Sequence, residues 1–255
     1  MPHNLPIAGF VPFSTVDWPG KLVASIFTQG CPLKCGYCHN HEIRDMHTPT
    51  QPAWDTIETH LKARQGLLDG LVVSGGEPLA HAHPRRHQHT HNTPLGAVLH
   101  RTQQLGHATG LHTSGIYPTA LTALLDANLI NWVGIDVKAT PNQMGEVTGA
   151  NRMAVLLAKS LGSVANSGID HEARLTLWPA LVGRPGDAPQ AVGDALIDYA
   201  VKVGEWAAGQ GAQRFVVQRF QTATAPVGAT EVGAVWDDAA MLGALAGLGV
   251  SVGVR

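Results

Sequence analysis

The residues with the clearest chemical potential in this 255-residue sequence are its three cysteines, Cys31, Cys35 and Cys38, which lie within eight positions. Because three is an odd number, these thiols cannot all pair in disulfides. Three thiolates at the spacing C-x3-C-x2-C can bind one soft metal centre from a single loop. A [4Fe–4S] cluster normally takes four cysteine ligands, so one iron would stay open, take another side chain or bind an external molecule.

A zinc site is the alternative for this loop, with His39 or His41 as the fourth ligand. Zinc ligands usually come as C-x2-C pairs that are separated in the sequence, and this loop has no such second pair. We therefore favour the iron–sulfur cluster, in which an open iron gives a substrate a place to chelate.

The loop Cys31-x3-Cys35-x-Tyr37-Cys38 resembles the signature of the radical S-adenosylmethionine (SAM) enzymes. The resemblance implies that the three cysteines hold one [4Fe–4S] cluster. It also implies that the amino and carboxylate groups of SAM chelate the open iron, and that Tyr37 packs near the adenine.

Three polar motifs that follow predicted strands resemble other elements of this family. Gly75–Pro78 (GGEP) resembles the element that receives the SAM amino group, and Asp136–Lys138 (DVK) resembles an Asp-x-Lys element at the SAM site. His112–Gly115 (HTSG) resembles a stretch whose first residue is an Asp that helps to hold a cation. Since His112 replaces that Asp, the resemblance does not extend to a cation site, and we interpret His112 as structural.

Arg174 stands where the resemblance places an arginine that contacts the ribose or carboxylate of SAM, although a structural role fits it equally well. Lys138 is expected to meet the SAM carboxylate. The residues expected to contact SAM are Tyr37, Gly75, Gly76, Glu77, Thr113, Ser114, Asp136, Lys138 and Arg174.

These motifs need a scaffold that brings strand ends together. Six short apolar runs, each bounded by Gly, Pro or polar residues, are predicted as strands: Leu22–Phe27, Leu71–Ser74, Gly110–Thr113, Trp132–Val137, Ala173–Trp178 and Arg214–Phe220. They alternate with helical patterns, which indicates an α/β fold with a parallel sheet and right-handed crossovers. Six strands are too few for a closed eight-stranded barrel, so we expect an open partial (β/α)6 barrel with its site at the C-terminal strand ends.

The remaining segments complete a single expected domain over residues 1–255, with an irregular or hairpin lead-in at 1–20. A polar loop insertion at 81–94 contains His81, His83, His87, His89 and His91, and we interpret it as a surface feature. Helical spacing predicts five helices, starting near Pro52, Pro118, Met153, Val192 and Asp237, and Val250–Arg255 is a candidate extra strand.

The composition excludes several other classes of protein. Hydrophobic residues make up 44% of the chain, which is enough for a core and too many for a disordered chain. A net charge of −2 does not give the positive electrostatic field that is typical of nucleic-acid-binding proteins. With only 5% aromatic residues, the chain also has few side chains on which bases could stack. The longest uncharged run, Ala239–Val254, is short and glycine-rich, so we expect no membrane span. Met1–Pro6 has no features of a secretory signal, so we expect a cytoplasmic protein.

Asp17–Lys21 followed by Phe27-x-x-Gly30-Cys31 resembles the activating-enzyme subgroup, and within it the anaerobic ribonucleoside-triphosphate reductase activating proteins. The resemblance implies that a reduced cluster cleaves SAM to methionine and a 5′-deoxyadenosyl radical. That radical would take a hydrogen atom from a glycine of the reductase, with electrons from a low-potential donor such as flavodoxin or ferredoxin. Two alternatives stay open: a radical SAM enzyme with a small-molecule substrate, similar to 7-carboxy-7-deazaguanine synthase, and a non-enzymatic metal-binding module.

Overall fold

A computed structural model describes residues 4–46, 52–83, 89–222 and 230–255. Its strands form one sheet in chain order, in which β1 runs antiparallel to β2 and every later neighbouring pair is parallel. The strands are β1 (Ile7–Ser14), β2 (Val23–Thr28), β3 (Gly70–Gly75), β4 (Ala108–Thr113), β5 (Trp132–Asp136), β6 (Asp170–Leu177), β7 (Arg214–Arg219) and β8 (Ser251–Val254).

Helices connect the parallel strands. They are α1 (Trp54–Ala63), α2 (Pro94–Gln104), α3 (Pro118–Asp126), α4 (Pro141–Thr148), α5 (Met153–Ser167), α6 (Pro189–Gly209) and α7 (Asp238–Leu245). Proline at the first turn of α2, α3, α4 and α6 starts these helices where its missing N–H costs nothing. None of the described helices is long and apolar enough to cross a bilayer.

Both faces of strands β2 to β6 are buried, which explains their nearly continuous apolar sequences. Leu71 and Val73 of β3 pack in the large core between sheet and helices, whereas Val72 faces a small cluster on the other side. In that cluster Trp18, from the connection between β1 and β2, stacks on Trp132 of β5 with ring centroids 5.4 Å apart. The sheet is therefore packed with apolar side chains on both sides, and the polar residues at its strand ends are left to form a site.

The expected α/β architecture is confirmed, and all six predicted strands are present. The predicted number of strands was too low, because β8 forms at the candidate extra strand and the lead-in segment contains β1. The expectation of an irregular lead-in at 1–20 was thus wrong over Ile7–Ser14, while the hairpin alternative was right. Register shifts on both sides of the Gly9–Val11 pairing disturb the alternation that would have revealed this strand.

Two helices, α2 and α4, were not predicted. The spacing of the buried residues Leu95, Val98, Leu99 and Thr102 is that of a helix, so α2 had a signal that the sequence-based prediction missed, whereas α4 is short and buries only Met144, Val147 and Thr148. The expected insertion at 81–94 lies partly outside the described residues, including His87. Its described parts hold the end of a short 3-10 turn, Pro78–His81, and a second such turn, Thr90–Asn92.

Candidate active site

The carboxyl ends of the parallel strands surround one cavity of about 570 Å³. All three cysteines line it, and so do eight of the nine residues expected to contact SAM. These eight are Tyr37, Gly75, Gly76, Thr113, Ser114, Asp136, Lys138 and Arg174. The exception is Glu77, whose side chain is fully buried.

The cysteine loop follows β2 and is held through its backbone. The Gly30 N–H donates to the Ile43 carbonyl at 2.7 Å, and the Cys31 N–H donates to Arg44 at 3.0 Å. Further along, the Lys34 N–H donates to the carbonyl of Thr148, the last residue of α4, at 2.9 Å. The loop is therefore fixed at its start and at its middle, and all three of its cysteines line the cavity.

The three thiols are free of disulfides, and the surroundings of Cys31 and Cys35 favour the neutral thiol when no metal is bound. Burial raises the pKa of the Cys31 thiol to about 12, and burial also raises the pKa of Cys35. Metal ions bind thiolates, so loading this site would release protons.

The donor set fits a cluster better than a single zinc ion. Zinc needs four ligands within bonding distance of one centre. Among the described residues, no three His, Cys, Asp or Glu side chains meet closely enough to hold one ion. Thiolates that bind different irons of a cluster need not converge on one point, and the three cysteines share one cavity wall. His39, a fourth zinc ligand in the alternative, packs its ring 5.4 Å from that of Phe220.

The turn after β3 requires its two glycines for packing. Gly75 has φ +111°, which disfavours any residue with a Cβ, and a Cβ there would also overlap the Thr28 backbone. A Cβ on Gly76 would overlap the carbonyl oxygen of Gly30. Both glycines thus let the turn lie directly against the segment that leads to Cys31.

Glu77 faces away from the cavity, towards the end of β4. Its carboxylate accepts hydrogen bonds from the Leu79 N–H at 3.1 Å, the Thr113 hydroxyl at 2.6 Å, the Ser114 N–H at 2.8 Å and the Ser114 hydroxyl. Burial raises the pKa of Glu77, and these four donors oppose that rise.

Asp136 lies between two cations on the cavity wall. One carboxylate oxygen is 3.1 Å from Lys138 Nζ, and the other is 3.2 Å from a terminal nitrogen of Arg174. Burial alone would raise the pKa of Asp136, but Lys138 and Arg174 outweigh it and hold the pKa at about 2. This group has one net positive charge at neutral pH, so it can attract a carboxylate.

We expect Asp136→Asn to lower the free energy of unfolding at pH 7 by about 1–2 kcal/mol, a value reduced because the carboxylate is one-third exposed. The folded-state pKa lies below the ordinary value of 3.8, so the ionised carboxylate stabilises the fold above pH 3.8. That contribution is lost as the pH falls towards 2. Urea titrations should therefore show that the difference in free energy of unfolding between wild type and variant shrinks as the pH falls through this range. A difference that does not change with pH would contradict the ion-pair assignment.

His112 has the structural role expected for it. Its Nε2 lies 2.7 Å from the Asp17 carbonyl and its Nδ1 lies 3.2 Å from the Ser74 hydroxyl. These partners fit a neutral ring that donates from Nε2 and accepts at Nδ1. Burial, with Arg174 nearby, lowers the pKa of His112 to about 3.

Other residues on the cavity wall were not predicted as site residues. Asp17 accepts a hydrogen bond from the Ser25 hydroxyl at 2.6 Å, and Val16, Arg44, Thr176 and Arg219 also line the cavity. Asp17 belongs to the Asp-Trp-Pro-Gly motif noted in the sequence, but its position at the cavity depends on how the β1–β2 connection folds inward. The others follow from strand ends and loop paths that spacing does not specify.

Comparison with known proteins connects this geometry to a family. The model of the Radical SAM superfamily matches residues 25–170. A Methanocaldococcus jannaschii protein named for glycyl-radical enzyme activation is 31% identical over 133 residues, which is 52% of this chain and 50% of that protein. The pyruvate formate-lyase-activating enzyme of Staphylococcus aureus is 40% identical over 70 residues, 26% of this chain and 28% of that enzyme.

A solved structure supports the fold. The crystal structure of a radical SAM methyltransferase from Sphaerobacter thermophilus superimposes with a TM-score of 0.63 at 14% identity, over 93% of this chain and 67% of that one. The chain matches half or less of the length of these two curated relatives. Because the family model covers more than half of the chain, this protein belongs to the radical SAM superfamily, whose cofactors are a [4Fe–4S] cluster and SAM.

Proposed function

We propose that this protein is an activating enzyme that generates a glycyl radical on a partner protein, and that the partner is anaerobic ribonucleoside-triphosphate reductase. The observation that carries the proposal is the meeting of three thiols, the glycine turn and the Asp136–Arg174–Lys138 group at one cavity. Relatives named as activating enzymes are 31% identical over 133 residues and 40% identical over 70 residues of the chain. The reductase is supported by the resemblance of Asp17–Lys21 and the segment up to Cys31 to that subgroup.

A [4Fe–4S] cluster held by the three cysteines would supply the single electron for reductive cleavage of SAM, and this chemistry would provide the radical that takes a hydrogen atom from the glycine Cα. The chain's own residues bind and orient. Cys31, Cys35 and Cys38 hold the cluster. Lys138 and Arg174 hold the carboxylate of SAM, because their two charges exceed the single charge of Asp136.

Two further features orient SAM and shield the reaction. Tyr37 lines the cavity and is 5% exposed, and its ring packs at a tilt of 42° against that of Trp178, with ring centroids 5.5 Å apart; the Tyr37 ring gives the adenine an apolar contact. The Gly75–Gly76 backbone lines the cavity and has no side chains of its own, so its carbonyl groups can accept hydrogen bonds from the SAM ammonium. Cys35 is 8% exposed, and the burial of this wall keeps water away from a reactive radical.

The test is electron paramagnetic resonance of the reductase after anaerobic incubation with the reconstituted protein, SAM and a reductant. We expect a glycyl radical doublet that disappears when the acceptor glycine of the reductase is replaced by alanine. SAM cleavage without any doublet on the reductase would reject this partner. Turnover of a small molecule in its place would favour the small-molecule alternative.

We further propose that a low-potential donor such as flavodoxin or ferredoxin supplies the electron in a cytoplasmic setting. A reducing compartment is supported by the free state of all three cysteines, which would be prone to oxidation elsewhere.

A further inference from the structure

The Gly75–Glu77 turn is bonded on one side to the segment that leads into the cysteine loop. The Gly76 N–H donates to the Thr28 carbonyl at 2.9 Å, and the Glu77 N–H donates to the Gly30 carbonyl at 2.8 Å. No side chain separates the two segments, because Gly75 and Gly76 leave room only for direct backbone contact. A shift of the turn would therefore shift the residue before Cys31.

On its other side the turn is bonded to the end of β4 through the Glu77 side chain. Each carboxylate oxygen accepts one backbone N–H, from Leu79 and from Ser114, and one hydroxyl, from Thr113 and from Ser114. The Thr113 hydroxyl oxygen itself accepts the Gly115 N–H at 3.0 Å, so its own proton is free to be donated to Glu77. An ionised carboxylate satisfies all four donors.

Glu77 has neither an opening to the cavity nor a charged partner. It is fully buried and is not among the residues that line the cavity. Within the described ranges no Lys or Arg forms an ion pair with it. To reach a ligand in the cavity, the side chain would have to give up hydrogen bonds to buried donors, which are costly to leave unpaired.

We propose that Glu77 is a positioning residue and does not contact SAM through its side chain. Its carboxylate fixes Thr113 and Ser114, and its N–H fixes Gly30, so the cysteine loop, the glycine turn and the β4 end keep one arrangement. The inference replaces the expectation that Glu77 binds the cofactor. It rests on the proposed function only in that SAM occupies this cavity, and it requires no partner protein.

Glu77→Gln separates positioning from direct contact. The amide has the size of the carboxylate but carries two donors at one end, so a backbone N–H of Leu79 or Ser114 loses its acceptor. Anaerobic equilibrium binding to the cluster-loaded protein would compare SAM with the analogue that lacks only the α-amino group. We expect the variant to bind both ligands about tenfold more weakly, because the whole pocket is displaced.

A direct contact between Glu77 and the SAM ammonium predicts a different result. The loss would then be confined to SAM and absent for the analogue, which would overturn the proposal. Unchanged affinity for both ligands would overturn it as well. Wild-type protein that binds neither ligand would count against the cofactor assignment itself, whereas normal binding without glycyl radical formation would count only against the proposed function.

Hydrogen exchange gives a second readout that needs no ligand. The Ser114 amide of the cluster-loaded, SAM-free protein should exchange faster in Glu77→Gln, and an unchanged rate would contradict the bond. The matched control is Glu58→Gln, since Glu58 also accepts bonds from three side chains, Trp54, Lys62 and Arg101, but lies away from the cavity. It should leave both affinities and the Ser114 exchange rate unchanged. If Glu77→Gln does not fold, Thr113→Val can be used, because it removes one of the four donors to Glu77. It should lower the affinities for SAM and for the analogue by the same factor, and by less than the tenfold expected for Glu77→Gln.

Discussion

Cys35→Ala should abolish reductive cleavage of SAM, with a fall of at least about 10³-fold, which corresponds to roughly 4 kcal/mol of lost transition-state stabilisation. The sequence has no fourth cysteine to replace the lost thiolate, and the other two lie in the same loop. Two thiolates leave the cluster under-coordinated, so iron content should fall together with activity. The measurements are 5′-deoxyadenosine formation and iron per chain after reconstitution.

The fold should survive this substitution. Cys35 is 8% exposed, and the loss of one sulfur atom from its site should cost about 1 kcal/mol in the metal-free protein. The comparison must be made without metal, because a bound cluster adds its own stabilisation. Val164→Ala, at a fully buried position of α5, is the control: it also removes buried apolar volume but should keep cleavage. Retained cleavage in Cys35→Ala would refute its assignment as a ligand.

Gly76→Ala should have the next largest effect. The added methyl group would overlap the Gly30 carbonyl oxygen, which belongs to the backbone and cannot rotate away. Overpacking of this kind typically costs about 1–3 kcal/mol, and here it also pushes on the residue before Cys31. We expect a lower melting temperature, together with at least about a tenfold loss of SAM affinity if about 1.4 kcal/mol of the strain falls on the site.

Gly243→Ala is the control for that experiment. Gly243 lies in α7, and a Cβ there would meet nothing within 4 Å. Since alanine is the better helix former by about 1 kcal/mol, this variant should be neutral or slightly more stable and should bind SAM normally. Equal effects of the two substitutions would show that the glycine turn is not packed as described.

The parts of the site that could be predicted from sequence are those whose chemistry is local. Three cysteines in one loop identify a soft metal centre, and Asp136–Lys138 at the end of an apolar run identifies a charged strand end. Because parallel strands end at the same edge, the motifs on β2 to β6 could be expected to meet, and they line one cavity.

What the sequence did not reveal depends on contacts between distant segments. The direction of the Glu77 side chain follows from Thr113 and Ser114, more than thirty residues later, and no spacing rule predicts which way such a carboxylate turns. The inward position of Asp17 depends on the stacking of Trp18 on Trp132. Strand β1 was not predicted because register shifts in its pairing with β2 interrupt the alternation of its sequence, and these shifts can be seen only once the two strands are paired.

The most direct test of SAM chemistry at this cavity is the yield of 5′-deoxyadenosine from the wild-type protein. The protein would be reconstituted with iron and sulfide under strict anaerobiosis, reduced, and mixed with SAM, with and without the candidate reductase. We predict 5′-deoxyadenosine that depends on both the reductant and the cluster. A full, reducible cluster that gives no 5′-deoxyadenosine in either mixture would contradict the proposed activity and favour a metal-binding module.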